Sequence, residues 1–217
     1  MSDVCRSDRK EPRIVAMGPE KNAVRIIQDF LSGAMGDEAF LEELYGQSLD
    51  TLRDWPNAPA YVAHRDLLQY LLLIDLGTPA GRVDAVGVLE QYLCDQGVYV
   101  HSTELGREAA ADYELLMSAQ PTWVDIDALS AATLLEAVSA VPERSRRTQL
   151  QALIKQRYRY VSTPPRWLQA PTWPVVEQYP TVFVGQLDIT DLHHDTAYLY
   201  VFVDEASGAV STVTQQL

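Results

Sequence analysis

Residues 164 to 188 read Pro-Pro-Arg-Trp-Leu-Gln-Ala-Pro-Thr-Trp-Pro-Val-Val-Glu-Gln-Tyr-Pro-Thr-Val-Phe-Val-Gly-Gln-Leu-Asp, and this stretch decides the fold. Ahead of it apolar residues recur every three or four positions, and behind it every two, so helices give way to strands here. Each proline fixes its own φ and steers the preceding residue out of the helical region, which holds the joint extended. Pro164, Pro165, Trp167 and Trp173 form this structural joint. Two large rings in a stiff segment can either staple the helical half to the sheet or form the lip of a binding site.

Working back from the joint, helical spacing begins with Val24, Ile27, Phe30 and Leu31 and stops at Gly33. Asp37 is expected to cap a second helix carrying Phe40, Leu41, Leu44, Leu49 and Leu52. The third segment, Tyr61 to Leu76, spreads leucines around more than one face, as a central helix would. A fourth runs through Val83, Val86, Leu89 and Leu93 to Gly97, and Val98 to Val100 reads as a short extended piece. A fifth helix follows Thr103 with Leu105, Ala109, Tyr113 and Leu116 inward. Asp125 or Asp127 caps a sixth through Leu129, Leu134, Leu135 and Val138. The seventh puts Leu150, Leu153, Ile154 and Tyr158 inward and its arginines outward.

Beyond the joint, strict alternation over Thr181 to Ile189 puts Phe183, Leu187 and Ile189 on one face. Ala197 to Val203 is apolar on both faces, the pattern of a covered middle strand. Asp204 to Gly208 reads as a hairpin loop, and Val210, Thr212 and Thr214 as a third strand. The expected class is α+β: a bundle of about seven helices packed on a small three-stranded antiparallel sheet. The expected parts are a loose tail over 1–19, the bundle over 20–162, and the joint plus sheet over 163–217.

Charge carries the most information about function. The formal net charge is −13 and the pI about 4.6, which disfavours nucleic acid or an anionic membrane as partner. From Ile26 to Glu143 there are 20 acidic residues against Arg53, Arg65, Arg82 and Arg107. Arg144, Arg146, Arg147, Lys155, Arg157, Arg159 and Arg166 then arrive together, and no lysine or arginine follows. This arginine-rich helix can neutralise the acidic helices from within, or the acidic face can be left to receive a basic protein. Glu104, Glu108 and Asp112 repeat every four residues and share a helix face, mildly repelling one another.

Motifs for phosphate, serine-nucleophile, zinc-protease, thiol-redox or dinucleotide chemistry do not occur, and no cofactor is expected. The Asp188, Asp191, His193, His194, Asp195 cluster could bind a divalent metal and run a hydrolysis, or simply cap a wet turn. Adjacent histidines on extended chain point opposite ways, which favours the turn. His64 and His101 are isolated, the first expected to be structural beside the third helix. Cys5 falls in the loose tail, and Cys94 reads as a small core residue. No apolar run approaches a membrane span, and the charged start lacks the form of a secretory signal, so a cytoplasmic protein is expected.

Three word-like stretches carry a resemblance: Ser118-Ala119-Gln120-Pro121-x-Trp123-x-Asp125, the joint from Pro164 to Pro174, and Phe183-Val184-Gly185-Gln186-Leu187-Asp188-Ile189 with His194 to Ala197. They resemble a family of immunity-type proteins found beside bacterial polymorphic and contact-delivered toxins. Val24 to Tyr45 is similar to the opening of colicin-type immunity helices. The resemblance implies a non-enzymatic inhibitor that binds a cognate toxin, and an acidic inhibitor suits a basic, nuclease-type toxic domain. The acidic side chains at Glu104, Glu108, Asp112, Asp188, Asp191 and Asp195 are the expected contacts.

Overall fold

The computed structural model describes residues 19–98 and 103–217. The class is α+β, with seven α-helices and five strands among the described residues. The chain divides into two compact units, Met1–Leu72 and Leu73–Leu217. Apart from Pro19, the expected tail, with Cys5, lies outside the described residues, as do Tyr99 and Val100 of the expected extended piece and His101.

The first unit contains α1 (Pro19–Leu31), α2 (Asp37–Tyr45), 3-10 turns at Asp50–Arg53 and Ala63–Arg65, and nearly all of α3 (Leu67–Leu73). Phe30 of α1 and Phe40 of α2 stack with ring centroids 4.0 Å apart and seal the two helices together. Gly33, at φ +76, supplies the left-handed residue just past α1. Three expectations are corrected here. Gly36, not Asp37, is the N-cap of α2. That helix stops at Tyr45, so Leu49 and Leu52 are buried outside it, Leu52 on a 3-10 turn. The third helix is two turns long, because His64 and Arg65 adopt φ of 56° and 59°, a left-handed backbone that no helix continues through. Asp66 then restarts the chain by accepting from the N–H of Gln69 at 2.8 Å. His64 itself is exposed.

The second unit holds α4 (Pro79–Asp95), α5 (Glu104–Ala119), α6 (Ala128–Ser139), α7 (Glu143–Arg157) and all the strands. Thr78, Thr103 and Asp127 cap α4, α5 and α6 through side-chain oxygens that accept from the third residue on. Gly106 lets α5 approach α4 closely: a Cβ there would stand 2.9 Å from Cγ1 of Val86. Tyr113 and Leu129, expected inward, are exposed, and so is Cys94, because the buried stripes of α4, α5 and α6 are narrower than the apolar positions available.

The main sheet is antiparallel with order β3 (Val182–Asp188), β4 (Ala197–Val203), β5 (Val210–Gln216). Ahead of it, β1 (Val175–Val176) and β2 (Tyr179–Pro180) form a two-residue ribbon that alternation alone did not reveal. Its turn residues Glu177 and Gln178 both have positive φ, the geometry of a tight hairpin turn built without glycine. In β3, a bulge between Phe183 and Gly185 shifts the pairing. Phe183 pairs with buried Phe202, but beyond the bulge Gln186 pairs with buried Tyr200 and Leu187 with Leu199. The expectation that Leu187 shares a face with Phe183 is therefore corrected: one extra residue flips every later side chain, and Leu187 is 57% exposed.

Tyr200, Phe202 and Phe183 from the sheet meet Leu150, Ile154 and Tyr158 from α7 and its end in one buried cluster with Trp173. Burial of each such side chain contributes about 1.5–3 kcal/mol. The opposite sheet face, Leu199, Val201 and Val203, is only half-buried, so β4 is a middle strand with one fully covered side. No helix among the described residues is long and apolar enough to cross a membrane.

Candidate functional site

The six acidic residues singled out by sequence fall into two groups, one on α5 and one on the β3–β4 connection, and no hydrogen bond or ion pair joins the groups among the described residues. Glu104 is the first residue of α5, where the helix dipole favours a carboxylate. It and Glu108 are exposed, and neither has an ion-pair partner among the described residues. Asp112 differs. It borders a cleft of about 320 Å³ whose lining includes Arg82, Glu136 and Arg146. Burial pushes its carboxyl above the ordinary carboxylate value, and the charges of Arg82 and Arg146 pull it back in part.

On the β3–β4 connection, Asp188 accepts from the N–H of Thr190 at 3.0 Å, and bonding to Thr190 holds its carboxyl below the usual value. Asp188 thus shapes the turn into the 3-10 segment Thr190–Leu192. Asp191, His193 and His194 are exposed, and Asp195 accepts from Nε2 of Gln216 at 3.4 Å. Among the described residues no group of three or more His, Cys, Asp or Glu side chains is placed to hold a metal ion.

The arginines of α7 and its end decide how far the acidic surface is neutralised. Arg146 donates to the carbonyl of Ser139, the last residue of α6, at 2.8 Å and to that of Val141 just past it at 2.9 Å. Arg147 donates to the carbonyl of Ser118 in the last turn of α5 at 3.1 Å. Cations at helix C-termini meet the negative end of the dipole. Arg157 donates to the carbonyl of Gln178 at 2.6 Å, and Arg159 pairs with Glu205. These four guanidinium groups therefore bind main-chain carbonyls and one loop acid, none of them Glu104 or Glu108. Carbonyl acceptors have no sequence signature, so these destinations were not legible beforehand.

The joint is ordered by its rings. Trp173 is 7% exposed, donates Nε1–H to the carbonyl of Thr181 at 2.8 Å, and lies against Tyr158, Phe183 and Phe202. Trp167 is half-buried, with its ring 4.4 Å from that of Tyr200. Pro164 and Pro165 line, with Trp123 and Trp167, an open groove of about 500 Å³. A larger cleft of about 710 Å³ lies between Arg157, Arg159, the β1–β2 ribbon and the β4–β5 turn with Asp204 and Glu205. Trp123 was marked in sequence only as part of a resemblance, not as a wall of the groove, and the larger cleft was not foreseen.

Compared with protein-family models, with curated proteins and with solved structures, the chain matches none.

Proposed function

We propose that this protein is a non-enzymatic, immunity-type inhibitor that acts in the cytoplasm by forming a stoichiometric complex with a basic toxin domain. The observation that carries the reading is the exposure of Glu104 and Glu108 without an ion-pair partner among the described residues, in a chain of net charge −13. Arg107 lies on the same helix but forms no ion pair with either acid among the described residues, and Arg146 and Arg147 of α7 bind carbonyls at the ends of α6 and α5 instead. A stripe of unmatched carboxylates repels itself slightly in the free protein, and that repulsion is relieved when a cationic surface arrives. Such a stripe speeds encounter with a basic partner and rejects acidic ones. Asp112, Asp188, Asp191 and Asp195 extend the negative field, while Trp167 and Trp173 serve the interior. Isothermal calorimetry against the toxin encoded beside this protein tests the proposal: a one-to-one complex supports it, and no heat at micromolar concentrations removes it.

A further inference from the structure

The edge strands of the sheet are β3 and β5. At Phe183 the β3 edge is paired with the segment after α7: the N–H of Val161 donates to the carbonyl of Phe183 and the N–H of Phe183 to that of Arg159, both at 2.9 Å. No strand among the described residues pairs with the outer edge of β5. The bonds from Leu217 N–H to Thr196 and from Asp204 N–H to Ala209 fix the parity of the β4–β5 ladder. Ser211, Val213 and Gln215 therefore point their main-chain groups at β4, and Val210, Thr212, Thr214 and Gln216 point theirs away. The carbonyl of Gln216 is taken by Nε2 of Gln169 at 2.7 Å. Outside the ladder, no hydrogen bond reaches the main chain of Val210, Thr212 or Thr214 among the described residues, and all three side chains are exposed, Val210 at 65%.

Edges of this kind are ordinarily blunted with charge, proline or a bulge. Here the run Ala206 to Leu217 contains no charged residue and no proline, and β5 pairs with β4 without a register shift. We propose that β5 is a dimerisation edge that pairs antiparallel with β5 of a second copy about a two-fold axis at Thr212. The register is self-consistent. Thr212 meets Thr212 of the second copy and Val210 meets its Thr214, so each of the three pairs joins residues whose main-chain groups already point outward. About six hydrogen bonds result, two per pair, and the exposed faces match β-branched side chains across the seam.

Charge selects the occupant and the direction. A basic partner has nothing to recognise on a strand without acids, whereas an uncharged strip lets two copies of net charge −13 meet without setting acid against acid. Antiparallel pairing keeps the two Asp204–Glu205 turns at opposite ends, each near the Gln216 end of the other copy, while parallel pairing would set them side by side. A single added strand buries less than the roughly 1,200 Å² of a standard interface, so the dimer is weak and depends on concentration.

Sedimentation equilibrium of the full chain over a concentration series tests this. A monomer–dimer equilibrium that tightens as salt rises is expected, because screening relieves repulsion between two acidic copies. The complex proposed above with a basic toxin should weaken with salt, so the two readings fail separately. Thr212→Pro removes only an outward N–H, and Thr212→Lys places two like charges at the axis; each should leave the monomer's melting temperature within a few degrees and abolish the dimer. Amide exchange should slow at Thr212 and Thr214 as protein concentration rises. A monomer at every concentration up to about 1 mM, or a dimer untouched by Thr212→Lys, would overturn the proposal.

Discussion

The indole Nε1–H of Trp167 donates to the main-chain carbonyl of Trp123 at 2.8 Å, across 44 residues of sequence. That bond fastens the proline joint to the loop between α5 and α6, and the Trp123 ring sits 5.6 Å from that of Trp173. The tryptophans therefore spend their contacts inside the second unit. Trp173→Ala should destabilise the protein by about 3–5 kcal/mol, as for other large aromatic-to-alanine changes in a core. Trp167→Phe, which keeps a ring but loses one hydrogen bond, should cost about 0.5–1.5 kcal/mol. Urea unfolding measures both. Lost partner binding at unchanged stability would instead make Trp167 part of a binding lip.

Asp127 caps α6 and ties it to α7: Oδ1 accepts from the N–H of Ser130 at 2.9 Å and Oδ2 from the hydroxyl of Tyr158 at 3.1 Å. Burial opposes ionisation of Asp127, but its bonds at Ser130 and from Tyr158, with the charge of Arg157, outweigh it and hold the carboxyl below its ordinary value. The Tyr158 hydroxyl is pushed up to about 12 by burial and by Asp127. A lowered carboxylate pKa contributes stability that is present above the unfolded-state value and is lost as pH falls through the folded-state value. Asp127→Ala should cost about 1–2 kcal/mol at neutral pH, and Asp127→Asn less, since an amide oxygen still caps. Thermal melts between neutral pH and pH 3 should show the wild-type advantage over Asp127→Asn shrinking toward the acid end.

The bulge in β3 gives opposite forecasts for two apolar residues only four apart. Phe183→Ala should cost about 3–5 kcal/mol, since the ring is 2% exposed and packs at 5.3 Å on Phe202. Leu187→Thr should change stability by less than about 0.5 kcal/mol, because its side chain faces out. Equal losses at the two positions in chemical denaturation would mean that β3 runs without a bulge.

Several features governed by neighbours in sequence were legible, although the cap expected at Asp37 fell on Gly36, and those governed by distant neighbours were not. Thr103 and the Asp125 or Asp127 alternative stood out as caps because a capping oxygen needs only the N–H three residues on. The change from helical to strand period at the joint was legible for the same local reason. The bulge at Val184 was hidden, because alternation in sequence assumes that every residue has one cross-strand partner. The break before α3 was hidden too, since histidine and arginine carry no mark of a left-handed backbone. At the acidic surface, the sign and the spacing of Glu104, Glu108 and Asp112 were legible. Which of them meets a cation was not, for Arg82 and Arg146 reach Asp112 only through the packing of α4, α5 and α7.

Asp112 separates stability from recognition. Because burial raises its pKa, the folded state disfavours its charged form, and its contribution to stability is largest below the unfolded-state value and fades as pH rises. Asp112→Asn should therefore not lower the melting temperature at neutral pH. If the same variant weakens the toxin complex, the carboxylate acts in binding; a lower melting temperature would show that it is held for Arg82 and Arg146 instead.

Glu104 and Glu108 supply the most direct test of the acidic surface. Both are exposed and without an ion-pair partner among the described residues, so Glu104→Lys with Glu108→Lys should alter folding stability by no more than about 1 kcal/mol. Most of that change is the lost dipole interaction at the first turn of α5. Association with a basic toxin should respond far more, since exposed charge acts chiefly on the encounter rate. Stopped-flow mixing should show the on-rate falling roughly tenfold or more in the double variant. Raising salt toward 1 M shortens the screening length to about 3 Å, and should slow the wild-type protein toward the same rate. An on-rate indifferent to both changes would move recognition away from α5 altogether.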